Sequence, residues 1–253
     1  MRLNFSCNTG YLWKEFPFLE RLKLARRYKF SSLEFHDEPH YEDLIQLKDL
    51  IDELELPING MNSFMGDTYG CAAISSRTKV VKKQVEEAIV IADKIGSPAL
   101  HILSGIAENN SENLQAYIST LRYALDNSDI TILIEPVCGE QLPGYFLRSI
   151  SQAAEVIKQI NHPRLKIMFD CYHIYRESGD LIKNFSAYAN NIGHVQIAAI
   201  EERAEPFLGV LDYSFVLPKL KALGYDGAFG CEYRPKSKTE DGLIWRKQFE
   251  QDK

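Results

Sequence analysis

Between residues 131 and 170 the chain reads Thr131-Ile132-Leu133-Ile134-Glu135-Pro136, then an amphipathic stretch over 149–160, then Leu165-Lys166-Ile167-Met168-Phe169-Asp170. Two short apolar runs, each closed by a carboxylate, flank one helix-length segment. That is the pattern of parallel strands joined by a crossover helix. The same alternation extends in both directions. Upstream, strands are expected over 3–7, 32–35, 56–61 and 99–103. Helices are expected over 18–28, 41–54, 77–95 and 111–125. In the third of these helices Val80, Val81, Val85, Ala88, Ile89 and Ala92 recur at helical spacing. Downstream, a helix over 181–190, a strand over 194–198, a helix over 213–223, a strand over 227–232 and a last helix over 240–250 complete eight strand–helix units. Uninterrupted βα alternation of this length predicts a closed (β/α)₈ TIM barrel filling residues 1–253 as one domain. An open doubly wound sheet is the runner-up. The turn after the first strand, Ser6-Cys7-Asn8-Thr9-Gly10, lacks the glycine-rich phosphate loop usual there.

Composition fits a globular protein. Of 253 residues 45% are hydrophobic and 25% charged, which excludes disordered, collagenous and disulfide-scaffold classes. The formal charge of −6 comes without a basic stripe, so neither nucleic acid nor an anionic membrane is an expected partner. No apolar run reaches membrane-spanning length. Five cysteines without a CxxC pair, and an N-terminus without an apolar leader, suit a reduced cytoplasmic protein.

In a barrel, residues at the C-terminal ends of strands face the active site. Strand five ends in Glu135, strand six in Asp170 with His173 three residues on, strand seven carries Gln196, and strand eight ends in Glu232. Any one of these carboxylates alone reads as a salt-bridge partner or a loop cap. Three carboxylates and an amide oxygen at one mouth make a hard, oxygen-rich donor set that suits Mg²⁺ or Mn²⁺. His194, two residues before Gln196, falls one layer deeper on the same face. Cysteines 7, 171 and 231 read as small buried hydrophobes.

At these residues the chain resembles the hydroxypyruvate isomerase family, within the wider xylose isomerase-like group of sugar isomerases and epimerases. The resemblance spans Asn4-Phe5-Ser6, Ile134-Glu135-Pro136, Pro143-Gly144, Asp170-x-Tyr172-His173, Gly193-His194-x-Gln196-Ile197-Ala198, Arg203-x-Glu205-Pro206 and Gly230-Cys231-Glu232-Tyr233-x-Pro235. It implies a TIM barrel whose divalent metal is held by Glu135, Asp170, Gln196 and Glu232. His173 and Arg203 would contact substrate. The implied reaction interconverts hydroxypyruvate and tartronate semialdehyde through an enediolate, and Glu135 and Glu232 are the expected acid–base pair. Arg203, with its planar fork, suits the substrate carboxylate.

The chain departs from the family pattern at the substrate end. Ala199 stands where many relatives have Asp. The Glu-Pro-Gly-x-Gly loop reads Glu205-Pro206-Phe207-Leu208-Gly209, and Phe207 is expected to narrow the pocket or change loop mobility. The segment Met61-Asn62-Ser63-Phe64 lacks the usual His and Pro. The same constellation would serve a 2-oxo-tetronate isomerase, a ketose 3-epimerase or an inosose-type dehydratase, with a small hydroxy-oxo acid or sugar as substrate. A zinc endonuclease would need more histidines and a basic surface. A non-catalytic metal- or sugar-binding barrel is the alternative of another class, and the oligomeric state stays open.

Overall fold

A computed structural model describes residues 2–207 and 209–250; Leu208 of the loop quoted above lies outside them. Strands β1 (Phe5–Asn8), β2 (Ser32–Phe35), β3 (Ile58–Asn62), β4 (Ala99–His101), β5 (Thr131–Ile134), β6 (Leu165–Asp170), β7 (Ile192–Ile197) and β8 (Phe229–Cys231) pair in sequence order. Every pairing is parallel, and β8 returns to β1 through Phe5↔Phe229 and Cys7↔Cys231, which closes the barrel. Closure leaves no sheet edge, so every strand is buried on both faces. This is the (β/α)₈ architecture expected from the alternation.

Around the barrel run α1 (Phe18–Arg27), α2 (Leu44–Leu54), α3 (Thr78–Ile95), α4 (Ser111–Asp126), α5 (Ile150–Ile160), α6 (Cys171–Ser178), α7 (Leu181–Tyr188) and α8 (Tyr213–Ala222). Short turns α9 (Thr239–Gly242) and α10 (Lys247–Glu250) follow. The side chains of Asp43, Asn110, Ser149, Asp170, Asp180 and Asp212 accept hydrogen bonds from the first free backbone N–H groups of their helices. Each such cap contributes about 1 kcal/mol. The long α3 stops at Gly96, whose φ of +75° is a left-handed turn that favours glycine. Among the described residues no helix is long and apolar enough to cross a membrane.

The two-residue period of a strand decides what fills the barrel. Ala99, Leu133 and Met168 on three adjacent strands form a separate small apolar cluster. Counting two residues onward from each reaches His101, Glu135 and Asp170. The register Met168↔His194 and Asp170↔Gln196 carries the same parity into β7, and Gln196↔Gly230 into β8, whence two further residues give Glu232. Parity therefore stacks a polar layer above a lower layer that is apolar on β4 to β6 and holds His194 on β7.

Candidate active site

The polar layer opens on a cavity of about 330 Å³ lined by, among others, His36, Asn62, Glu135, His173, Arg203 and Glu232. At its floor Glu135, Asp170 and His173 each offer a ligand-type atom within 4.8 Å of the others. Arg203 reaches across them. Its Nη2 donates to Asp170 Oδ2 at 2.7 Å and to Glu232 Oε2 at 2.5 Å. The guanidinium carbon lies 5.0 Å from the Tyr11 ring centroid and 5.2 Å from that of Tyr172, so aromatic faces hold it as well. Glu202 and Arg203 both have left-handed backbone, φ +57° and +55°. Such conformations in non-glycine residues cost energy and persist where the surroundings demand a particular side-chain placement.

Burial dominates the electrostatics. It pushes the Glu135 carboxyl well above the usual range, and the charges of Glu232 and Asp170 add to the shift. Burial also raises Asp170, against the pull of Arg203. For Glu232 burial alone would raise the pKa, but Arg203 and a hydrogen bond from His36 together hold it below the ordinary value. The two carboxylates expected to exchange protons are thus driven apart, one toward the neutral acid and the other toward the anion. Burial, then Arg203, pushes His173 well below its usual range, so its ring is neutral.

The tautomer of that neutral ring follows from its neighbours. The backbone N–H of Cys138 donates to His173 Nδ1 at 3.4 Å, so Nδ1 is the acceptor and Nε2 carries the proton. Nε2 lies 3.5 Å from Asp170 Oδ2 and 3.9 Å from Glu135 Oε1. The geometry therefore sets His173 Nε2 beside both carboxylates.

The six residues singled out in the sequence fall in three places. Glu135, Glu232, His173 and Arg203 line the cavity, while Asp170 is buried at 1% exposure beneath Arg203. Gln196 sits deeper, against a small hollow shared with Glu34 and His194, and its buried Oε1 has no hydrogen-bond partner among the described residues. His194 does lie one layer down, with Nε2 2.5 Å from Glu34 Oε2. Phe207 and Ala199 line a different hollow of about 220 Å³, so Phe207 does not narrow the cavity.

Two histidines escaped the sequence reading. His36 Nε2 is 3.0 Å from Glu232 Oε1, and Asn8 Nδ2 donates to the same oxygen at 3.4 Å. His101 is fully buried, with Nδ1 3.0 Å from Asn62 Oδ1. Parity on β2 and β4 points both inward, which was the available signal. Gly10 leaves room for this ring, since a Cβ there would lie 2.2 Å from His36 Nδ1.

The residues fit a divalent cation. Three buried carboxylates face a single guanidinium, and the unpartnered Gln196 oxygen adds a neutral hard donor to an oxygen-rich set.

A parallel barrel with an acidic mouth over a packed floor defines a class of enzyme scaffold. The chain belongs to the xylose isomerase-like TIM barrel family, which matches residues 22–249. It is 34% identical to hydroxypyruvate isomerase of Escherichia coli over 96% of this chain and 98% of that protein. It is 31% identical to 2-oxo-tetronate isomerase of Cupriavidus necator, over 97% and 98% respectively. The crystal structure of a Brucella melitensis protein described as AP endonuclease, family 2, superimposes with a TM-score of 0.94 at 33% identity, covering 99% of this chain and all of that one. With full-length relatives of both isomerase names, the chain is an isomerase of the hydroxypyruvate isomerase-like type.

Proposed function

We propose that the protein is a metal-dependent isomerase that interconverts hydroxypyruvate and tartronate semialdehyde. The observation that carries this reading is the convergence of Glu135 and Glu232, with pKa values displaced in opposite directions, on one cavity with His173 and Arg203. Moving a carbonyl to the next carbon needs one C–H proton removed and another delivered. Glu232, kept ionised by Arg203, takes the proton from the hydroxymethyl carbon C3. The electrons of that C–H bond form the C2–C3 double bond of an enediolate, with the charge on the C2 oxygen. Glu135 delivers a proton to C2, and the proton of the C3 hydroxyl moves to the C2 oxygen, which leaves an aldehyde at C3. The enzyme resets when the proton on Glu232 returns to Glu135 by way of solvent.

His173 Nε2–H donates to the substrate oxygens and restrains the enediolate. Arg203 Nη1, which makes no hydrogen bond among the described residues, is free to donate to the substrate as well. Glu135, Asp170, Gln196 and Glu232 would hold a Mg²⁺ or Mn²⁺ ion, which when bound supplies Lewis acidity toward the carbonyl and hydroxyl oxygens. Five free, buried cysteines suit work in a reducing cytoplasm. The net charge of −6 argues against the nucleic-acid substrate that the Brucella protein's description suggests for that protein.

A second reading keeps the chemistry and lengthens the substrate. The cavity exceeds what a three-carbon acid fills, since a volume of 330 Å³ is about eleven waters' worth. Four-carbon 2-oxo-tetronate would therefore also fit. The test is turnover of hydroxypyruvate, 2-oxo-tetronate and free ketoses with Mg²⁺, Mn²⁺ or EDTA. Metal-dependent turnover of a short hydroxy-oxo acid is expected, whereas turnover of ketoses alone would overturn the reading.

A further inference from the structure

Arg203 has Nη1 left for a substrate, but its charge is already shared, because its Nη2 pairs with both Asp170 and Glu232. An anion entering this mouth would face ionised Glu232 with its nearest cation already paired. Two other cations line the same cavity. Lys14 stands on the loop after β1 and Arg234 on the loop after β8, and those strands are paired neighbours in the closed barrel. Both side chains are exposed, and neither forms an ion pair with any described residue. Their loops are anchored. The Lys14 carbonyl accepts a hydrogen bond from Arg21 Nη2, and the Arg234 backbone N–H donates to the Arg203 carbonyl at 2.7 Å.

Resting on the reading of the site given above, we infer that Lys14 and Arg234 form the carboxylate-binding subsite, which selects short hydroxy-oxo acids over neutral ketoses of the same length. A carboxylate held at the β8–β1 rim leaves the two reacting carbons pointing inward, toward Glu135, Glu232 and His173. Arginine offers a bidentate fork and lysine a point charge, a pairing that tolerates acids of three or four carbons.

Dihydroxyacetone is the neutral counterpart of hydroxypyruvate, with CH₂OH in place of the carboxylate. The test is the ratio of kcat/KM for hydroxypyruvate to that for dihydroxyacetone in Lys14→Met, Arg234→Met and the double variant. Calorimetric titration with glycerate, which has the carboxylate and hydroxyls but no carbonyl, runs alongside. Each single variant should lower the ratio about 10-fold through KM, and weaken glycerate binding by a similar factor. Lys158→Met, far out on α5, should leave both unchanged. An unchanged ratio and unchanged glycerate affinity in the double variant would overturn the inference. If the wild type turned over no hydroxy-oxo acid, the proposed reaction would fail, and the glycerate titration would still decide the subsite. Weaker binding in the variants would support it, and equal or absent binding throughout would refute it.

Discussion

At the scale of single residues, the site depends on groups that hold the carboxylates in place as much as on the carboxylates. His36 touches no reacting atom in the proposed chemistry, yet it fixes Glu232 through Oε1 while Arg203 fixes Oε2. His36→Phe should lower kcat about 10-fold with little change in KM, and His36→Gln should restore most of the loss, because the amide N–H can reach the same oxygen. Equal losses in both variants would assign His36 a purely packing role. His101 supplies a pH prediction. Burial lowers its pKa to about 3, against an ordinary value of 6.5. Between these pH values the unfolded chain binds a proton that the folded chain refuses. Its contribution to stability is complete above pH 6.5 and is lost as pH falls toward 3, at up to about 1.4 kcal/mol per pH unit. His101→Gln should flatten the fall in denaturation free energy over that window by about that slope.

At the scale of elements, β6 and α6 carry the sharpest lesson about what a sequence reveals. The apolar run ending in Asp170 is legible because a carboxylate after four buried strand residues needs a partner. The helix that starts immediately after it, Cys171–Ser178, was not expected, because Cys, Tyr, His, Ile and Tyr are indifferent helix formers. Asp170 nucleates it by accepting the Tyr172 N–H on Oδ1 at 2.8 Å, while Oδ2 meets Arg203. One side chain caps a helix and holds the site. Asp170→Asn keeps a cap oxygen but loses the charge opposite Arg203. It should retain its thermal stability to within about 1 kcal/mol while losing activity at least about 100-fold, as followed by melting and turnover. His36 and His101 were missed for a different reason. They follow or end short strands without a carboxylate's burial cost to draw notice, and only parity across paired strands shows that they point inward.

At the scale of the whole molecule, strand–helix alternation sets the barrel, and parity decides which strand residues face its interior. Which cation meets which carboxylate depends on loop geometry, such as the left-handed turn at Arg203, and single-sequence patterns do not encode that. Beneath the mouth the buried Glu34–His194 contact joins β2 to β7 across the barrel. Glu34→Leu should cost about 2 kcal/mol in urea unfolding, by stranding the His194 nitrogen. A divalent ion bound only to the folded barrel should stabilise it by about 2.7 kcal/mol at a hundredfold excess over its Kd, and EDTA should reverse the gain in melting temperature. In the proposed reaction Glu135 and Glu232 exchange protons with the substrate through an enediolate. The most direct test is isomerisation of hydroxypyruvate in D₂O, followed by NMR. Solvent deuterium is expected at C2 of the product from the wild type, with loss of that exchange in Glu135→Gln and Glu232→Gln. Product free of deuterium, or undiminished exchange in both variants, would contradict it.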